Sequence, residues 1–584
     1  MEDIHHVVHP VDDDQPVHRT VLRFTDFGAV PDSGGDTQPA MRRAIEAAGR
    51  LEGPVLLDCP QGSYHFYPDH ALRVPYCITN TTSEEEHPDV TKTAGLLLKR
   101  QHQLTLEGNG SLFVFHGKQT MLILDECTDL EIRNLHLDYS RPTVAEMTVD
   151  CCGTDCCEVT VHPDSRYELN GGRLDWIGEG WRFREGPMQI CDLLQNITWR
   201  TENWLAEARH VEEISPHRLR FYFAFQPDAV PGNVLQVRDG IRDQAGILIT
   251  ESSGITFQNV GIHFMHGLGI VGQFSRDLTF LQLDLSPRPE TGRTVAGFAD
   301  FIHLSGCKGR VRIEDSRFTG AHDDAINVHG TYLRIVGQLA EDALKVRFMH
   351  PQTYGFKAFH PGDEIEFVRA DSLTAYAVSR VASVLQLNPR ELMLTLDGPV
   401  PPGIGGTDVI ENVTWTPELE ITGNAFARIP TRGILATTRR NTVISDNGFE
   451  RMQISAILVA ADAESWYESG AVRDMTITGN RFIACGSREA PVIDIAPENK
   501  EADRDAPVHR NICIENNIFE IMDAPVLSAK STQGLVFRHN DIVALAADGR
   551  DKGRDKHSSL EEAIRLTACS GADISGNSFD VEEQ

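Results

Sequence analysis

Six stretches of the chain repeat one order of apolar and polar positions: apolar, polar, polar, Asn, any residue, apolar. They are ITGNAF from Ile421, ISDNGF from Ile444, ITGNRF from Ile477, IENNIF from Ile514, FRHNDI from Phe537 and ISGNSF from Ile574, with weaker copies from Phe257, Phe280 and Ile313. A spacing of 23 residues separates Phe257 from Phe280, Ile421 from Ile444 and Ile514 from Phe537. The spacing of 33 from Phe280 to Ile313 and from Ile444 to Ile477 is the same period with ten residues inserted. Between anchors, apolar residues alternate and no helix-length period appears, which predicts short strands joined at Asn or Gly bends. Units this short close no core alone. Stacked, they bury a common interior, so the pattern predicts an all-β right-handed parallel β-helix in which the recurrent Asn satisfies backbone groups at a bend.

Two stretches interrupt the period. Residues 141–245 and 331–415 carry many short β segments, such as GDEIEFVRA and RELMLTLDGPV, separated by Gly and Pro, and are expected to be small β-barrels inserted into the solenoid. The expected organisation is then a cap and first rungs over 20–140, the first barrel over 141–245, rungs over 246–330, the second barrel over 331–415 and closing rungs over 416–584. An open solenoid end exposes unpaired strand edges. FTDFGAVPDSGGDTQPAMRRAIEAAG, from Phe24, reads as the cover for one: a strand, a turn and a helix capped near Asp36, with Pro39 in its first turn and Gly49 at its end. The charged tract from Ala547 to Ala563 reads as an exposed loop before the last rung.

A net charge of −31 argues against a nucleic-acid partner. No run of about 18 apolar residues is present, so no membrane-spanning helix is expected. The polar start MEDIHHVVHPVDDD lacks the basic and apolar regions of a signal peptide, leaving an intracellular protein or one whose export signal was removed. The 12 cysteines lean toward a reducing compartment; the cluster Cys151, Cys152, Cys156 and Cys157 is too tightly spaced for a zinc site and reads as surface or barrel cysteines, the others as small core residues.

Against this background GAHDDAINVHG, Gly320 to Gly330, stands out, because two carboxylates interrupt a strand-like run. Asp300 lies one 23-residue period before Asp323, which places it in the same column one rung away, with Thr431 and Arg432 ten residues after their own anchor. Neighbouring rungs are about 4.8 Å apart, so three carboxylates share one patch. Asp323 and Asp324 both reach it only if the chain bends there. Mutual repulsion raises at least one pKa, and glycoside hydrolysis uses such a pair of states, a protonated acid for the leaving oxygen and an ionised base for water. The proton steps then belong to the cluster.

The segments ADFIHLSGCKGRVRIEDSRFTGAHDDAINVHG (299 to 330), PTRGILATTRR (430 to 440) and ESWYESGAVRDMTITGN (464 to 480) resemble the inverting α-1,3-galactosidases of glycoside hydrolase family 110, and the resemblance extends more loosely over nearly the whole chain. It implies a parallel β-helix with barrel insertions that removes terminal α-1,3-linked galactose, as in blood group B or linear Gal-α-1,3-Gal glycans, with inversion and without metal or other cofactor. The family's essential aspartates fall on Asp300, Asp323 and Asp324. Analogy with the polygalacturonases makes Asp323 the acid and Asp300 with Asp324 the water-activating bases. Around them, Arg432 is a candidate for sugar hydroxyls or for tuning the carboxylates, and Trp466, in a ten-residue insertion beside Glu464 and Glu468, for stacking on the sugar. Glu498 on the next rung's loop and His303 are further candidates, although His303 and His329 also suit satisfied strand histidines. The alternatives are a β-helix polysaccharide lyase, disfavoured by the acidic charge, and a noncatalytic glycan-binding solenoid, which has no need of the aspartate column. A homodimer through the inserted barrels is a further expectation.

Overall fold

The computed structural model describes residues 19–545 and 559–581. Its frame is a parallel β-helix with three strand rows. The repeat anchors lie in one row, where Ile313, Ile421, Ile444, Ile477, Ile514, Phe537 and Ile574 are direct parallel partners in sequence. A second row begins four residues after each anchor, at strands such as Ala425–Ala427, Gly448–Glu450 and Arg481–Ile483. The third row contains Ile302–Ser305, Ile326–Ala340, Ile434–Ala436, Ile457–Ala461 and Ile493–Pro497.

The bend between the first two rows shows why the motif reads as it does. The residue before each ladder Asn sits in the left-handed region, with φ of 71° at Gly423, 56° at Asp446, 67° at Gly479 and 57° at Asn516. Gly, Asp and Asn tolerate that conformation best, which accounts for the variable third position of the motif. The Asn that follows points inward. Asn480 Nδ2 donates to the carbonyl of Ile444 at 2.9 Å and to Asn517 Oδ1 at 3.0 Å, while its own Oδ1 accepts from the backbone N–H of Asn447 at 3.0 Å. The same links run from Asn424 to Asn577, so each rung satisfies the next rung's buried bend. Beside this ladder Phe318, Phe426, Phe449, Phe482 and Phe519 stack with centroids 4.8, 4.7, 5.0 and 4.8 Å apart. Each buried ring contributes about 1.5–3 kcal/mol relative to exposure.

The helix Gln38–Ala48 covers the first rungs. Asp36 Oδ1 accepts the backbone N–H of Gln38 at its start, and Met41, Ala44 and Ile45 bury its inner face. At the far end the tract from Ala547 lies mostly outside the described residues. Its last part, Leu560–Ala563, is one turn of helix with Ala563 buried, where a loop was expected. Among the described residues no helix is long and apolar enough to cross a membrane.

The two insertions differ in construction. Between Val144 and Arg238 lie a seven-stranded antiparallel sheet and a three-stranded one, over a core that includes Trp176 and Phe221. Its hairpin carries the cysteine cluster: Cys152 and Cys157 are cross-strand partners joined in a disulfide, while Cys151 and Cys156 are free. The cluster thus lies in the first insertion. The second insertion closes on itself, because Ile326–Ala340, Ala343–Arg347, Glu391–Leu396, Thr374–Gln386, Glu364–Arg369 and Val409–Asn412 form a ring of antiparallel pairs. Strand Ile326–Ala340 starts inside the third row, paired with Ile302–Ser305 and Ile434–Ala436, and ends as a barrel strand. The aspartate pair therefore stands at the root of the second barrel.

Candidate active site

Parallel pairing fixes the carboxylates. Ile302 faces Ile326 and Ile326 faces Ile434, so two residues earlier Asp300, Asp324 and Arg432 form one column. The rung between Ile302 and Ile326 is one residue longer than the 23-residue period, and this corrects the expected column: Asp324, not Asp323, stands over Asp300. Asp323 sits in a bend that turns its side chain toward the same patch. The three carboxylates each bring one oxygen within 4.8 Å of the others. They line a cavity of about 360 Å³ together with Asn80, Arg200, Arg242, Asn327, Trp466, Glu468 and Glu498.

Charge divides the three aspartates. Arg200, from strand Ile197–Thr201 of the first insertion, pairs with Asp323 at 2.8 Å. Burial pushes the Asp323 carboxyl up, but Arg200, Arg242, Arg238 and Arg432 outweigh it and hold the group below the usual carboxylate range. At Asp300 the same Arg242 and Arg200 act but do not outweigh burial. Burial and the charge of Asp323 push it up to about 8. Asp324 is pushed up to about 7 by burial, with Asp323 and Asp300 adding to the shift, even though Arg432 Nη1 donates to its Oδ2 at 3.1 Å. The surroundings therefore favour an ionised Asp323 beside two carboxyls pushed toward their protonated forms. In the polygalacturonase analogy Asp323 was the acid, whereas the arginines around it favour its ionised form.

Asp300 Oδ2 lies 2.9 Å from Nδ1 of His303, whose pKa burial lowers to about 4, so the ring is neutral. Glu468 accepts from Asn80 Nδ2 at 2.8 Å and faces Nε2 of His329 at 3.4 Å. Burial raises its pKa, yet His329, His303 and the amides of Asn80 and Asn327 bring it below the ordinary value. His303, His329 and Glu468 bring one donor atom each within 4.8 Å, as the aspartates do, spacings a cation could bridge. Both sets have partners within the protein: guanidinium groups meet the aspartates, and the two imidazoles hydrogen-bond each other.

Relatives place this site in a family. Alpha-1,3-galactosidase A of Bacteroides fragilis is 42% identical over 97% of this chain and 93% of its own length. The protein of the same name from Bacteroides thetaiotaomicron is 40% identical over 94% and 95%, and that from Streptomyces avermitilis 37% over 91% and 88%. The chain belongs to the α-1,3-galactosidases of glycoside hydrolase family 110. A family model, the GLAA-B beta-barrel domain II, matches residues 343–410, within the second inserted barrel of this galactosidase relative.

Of the residues expected around the aspartates, the structure brings Arg432, Trp466, Glu468, Glu498 and His303 to the cavity. Trp466, 41% exposed, is propped by His350 of the second insertion, with ring centroids 4.3 Å apart. Glu464 is a correction. The carboxylate of Asp462 accepts the backbone N–H groups of residues 464 to 467, a tight turn that sends Glu464 out to pair with Lys500. Arg200, Arg242, Asn80 and Asn327 line the site of this family member without having been singled out in the sequence. Of these only Asn327 had a usable signal, its place three residues after Asp324.

Proposed function

We propose that this chain hydrolyses terminal α-1,3-linked galactose from blood group B or linear Gal-α-1,3-Gal glycans, with inversion at the anomeric carbon. The carrying observation is the carboxylate cluster, whose oxygens lie within 4.8 Å and whose surroundings push Asp323 down and Asp300 and Asp324 up. A cavity of about 360 Å³ is in the range of about 300–1,000 Å³ usual for small ligands. Its wall offers Asn327 Oδ1 and Arg432 Nε, buried atoms without a hydrogen-bond partner, to a ligand rich in hydroxyls. The relatives named alpha-1,3-galactosidase support the sugar and linkage.

In this reading the acid is a proton shared by Asp300 and Asp324, delivered to the glycosidic oxygen, and Asp323 draws the proton from the attacking water. Arg200 keeps Asp323 ionised while its neighbours stay neutral. Trp466 covers the apolar face of the sugar. Asp323→Asn is expected to abolish hydrolysis, by about 10²–10⁴-fold or more, with the fold intact. The acid assignment is tested with an aryl α-galactoside whose leaving group needs no protonation. Asp300→Asn should recover much of its lost rate on that substrate, whereas Asp323→Asn should stay inactive; the opposite pattern returns the acid to Asp323.

One observation favours a second reading. Carboxyls of inverting enzymes usually stand about 6.5–9.5 Å apart and those of retaining enzymes about 5–5.5 Å. The closeness of this cluster thus suits retention, with ionised Asp323 as nucleophile. Proton NMR during hydrolysis of Gal-α-1,3-Gal decides between them. β-Galactose appearing first supports inversion, and α-galactose appearing first makes Asp323 the nucleophile.

A further inference from the structure

The hydrogen-bond chain behind Asp300 continues past His303. His303 Nε2 lies 3.0 Å from Nε2 of His329, and His329 Nδ1 lies 2.6 Å from the carbonyl oxygen of Gly330. Both imidazoles are 1% exposed. The far end borders the site again, because His329 Nε2 is 3.4 Å from Glu468 Oε1 and Glu468 lines the same cavity as Asp300.

This chain has a direction. A carbonyl oxygen only accepts, so Nδ1 of His329 carries a hydrogen. With both rings neutral, Nε2 of His329 is bare and accepts from Nε2–H of His303. Nδ1 of His303 is then bare too, and the hydrogen between it and Asp300 belongs to Asp300. With both rings neutral the hydrogen-bond chain thus protonates Asp300, in agreement with the upward push that burial and Asp323 exert on it. A second arrangement has the same atoms and total charge. The O–H bond of Asp300 breaks as Nδ1–H forms on His303, and Nε2–H of His303 breaks as Nε2–H forms on His329. Asp300 becomes a carboxylate and His329 an imidazolium beside the Glu468 carboxylate.

We propose that His303 and His329 form a buried relay that carries the Asp300 proton to and from His329 beside Glu468, letting Asp300 change charge during turnover without exchange with solvent. The proposal rests on Asp300 belonging to the catalytic cluster. At rest a neutral Asp300 avoids repulsion from Asp323, Asp324 and Glu468, with Arg200 and Arg242 the cations that face it. In an oxocarbenium-like transition state the sugar becomes positive, and an Asp300 whose own proton has moved into the relay, leaving the Asp324 proton for the glycosidic oxygen, is then worth more than at rest. His303 faces Glu468, Arg242, Asp324 and Asp323, and His329 faces Glu468, His303 and Asp300. In this reading both rings are positioning residues that act through Asp300.

Two measurements on the full chain test it. Nitrogen NMR of ¹⁵N-histidine-labelled wild-type protein near neutral pH should find His329 with hydrogen on Nδ1 and His303 with hydrogen on Nε2. His303 carrying hydrogen on Nδ1 beside a neutral His329 overturns the relay. In kinetics with Gal-α-1,3-Gal, His303→Gln and His329→Gln should lower kcat by about 10- to 100-fold, leave KM nearly unchanged and move the basic limb of the pH profile. Adding His329→Gln to Asp300→Asn should cost nothing more, since the relay acts only through Asp300. Profiles that are merely scaled down, or losses that add, assign the rings to packing and overturn the proposal. Loss of wild-type activity in EDTA with recovery on added divalent metal makes the rings ligands and also overturns it. An active Asp300→Asn variant would instead remove Asp300 from the cluster, a failure of the function proposed above that the NMR tautomers do not share.

Discussion

The ladder bend and the aspartate patch lie on the same solenoid and are built on opposite principles. At the bend, Asn424, Asn447, Asn480, Asn517, Asn540 and Asn577 repeat one set of contacts, each amide serving the next rung. At the patch nothing repeats. Asp300, Asp324 and Arg432 hold one column with two carboxylates and a guanidinium, and Asp323 leaves that column through a bend. The groups that complete the patch come from elsewhere in the chain: Arg200 and Arg242 from the first insertion and the segment after it, His350 from the second. Redundant contacts make a solenoid stable. Singular ones, each in a different environment, set carboxylates of one type to different charge states.

Arg200→Gln should sharpen this contrast most. Arg200 opposes the burial that pushes Asp323 up, so removing it raises the Asp323 pKa. A base must be ionised, and activity on the acidic side therefore disappears at a higher pH than in wild type, with the limb displaced by about one unit or more. The wild-type profile should hold its plateau below the usual carboxylate range and fall as pH rises through about 7 to 8, where Asp324 and Asp300 lose their protons. A rate loss with an unmoved acidic limb would separate Arg200 from the ionisation of Asp323. Trp466→Ala should act less and differently. Loss of a stacking face costs about 0.5–1.5 kcal/mol, read as a KM raised about 3- to 10-fold with kcat retained. A fall in kcat alone would place Trp466 in the chemistry.

The same contrast governs what the sequence made legible. The 23-residue period exposed the solenoid, the ladder Asn and the two interruptions because those features repeat, and repetition is visible without coordinates. Asp300, Asp323 and Asp324 were legible for the opposite reason, as charges inside strand-like runs. Their column was misplaced by one residue because a single extra residue between Ser305 and Ile326 leaves the hydrophobic pattern intact. Arg200 and Arg242 were not legible, since their distance to Asp323 depends on how an insertion folds back, which no period encodes. Glu464 was misread from its nearness to Trp466; the turn that Asp462 gathers around four backbone N–H groups decides its direction. His329 passed as an ordinary strand histidine, and its contacts with His303 and Glu468 distinguish it.

Asn480→Ala should have the smallest effect on activity and tests whether the two constructions are independent. The substitution leaves the carbonyl of Ile444 and the N–H of Asn447 without their side-chain partner in a buried bend. Each orphaned group costs about 1–3 kcal/mol, so the apparent melting temperature should fall measurably. The neighbouring asparagines keep their remaining links, and a solenoid distributes stability over nearest-neighbour contacts, so the loss should stay local. The ladder lies on a different strand row from Asp324, and kcat/KM below the transition should therefore match wild type. If activity falls in step with stability, the ladder and the patch are mechanically coupled, and the regular face positions the carboxylates as well as supporting the fold.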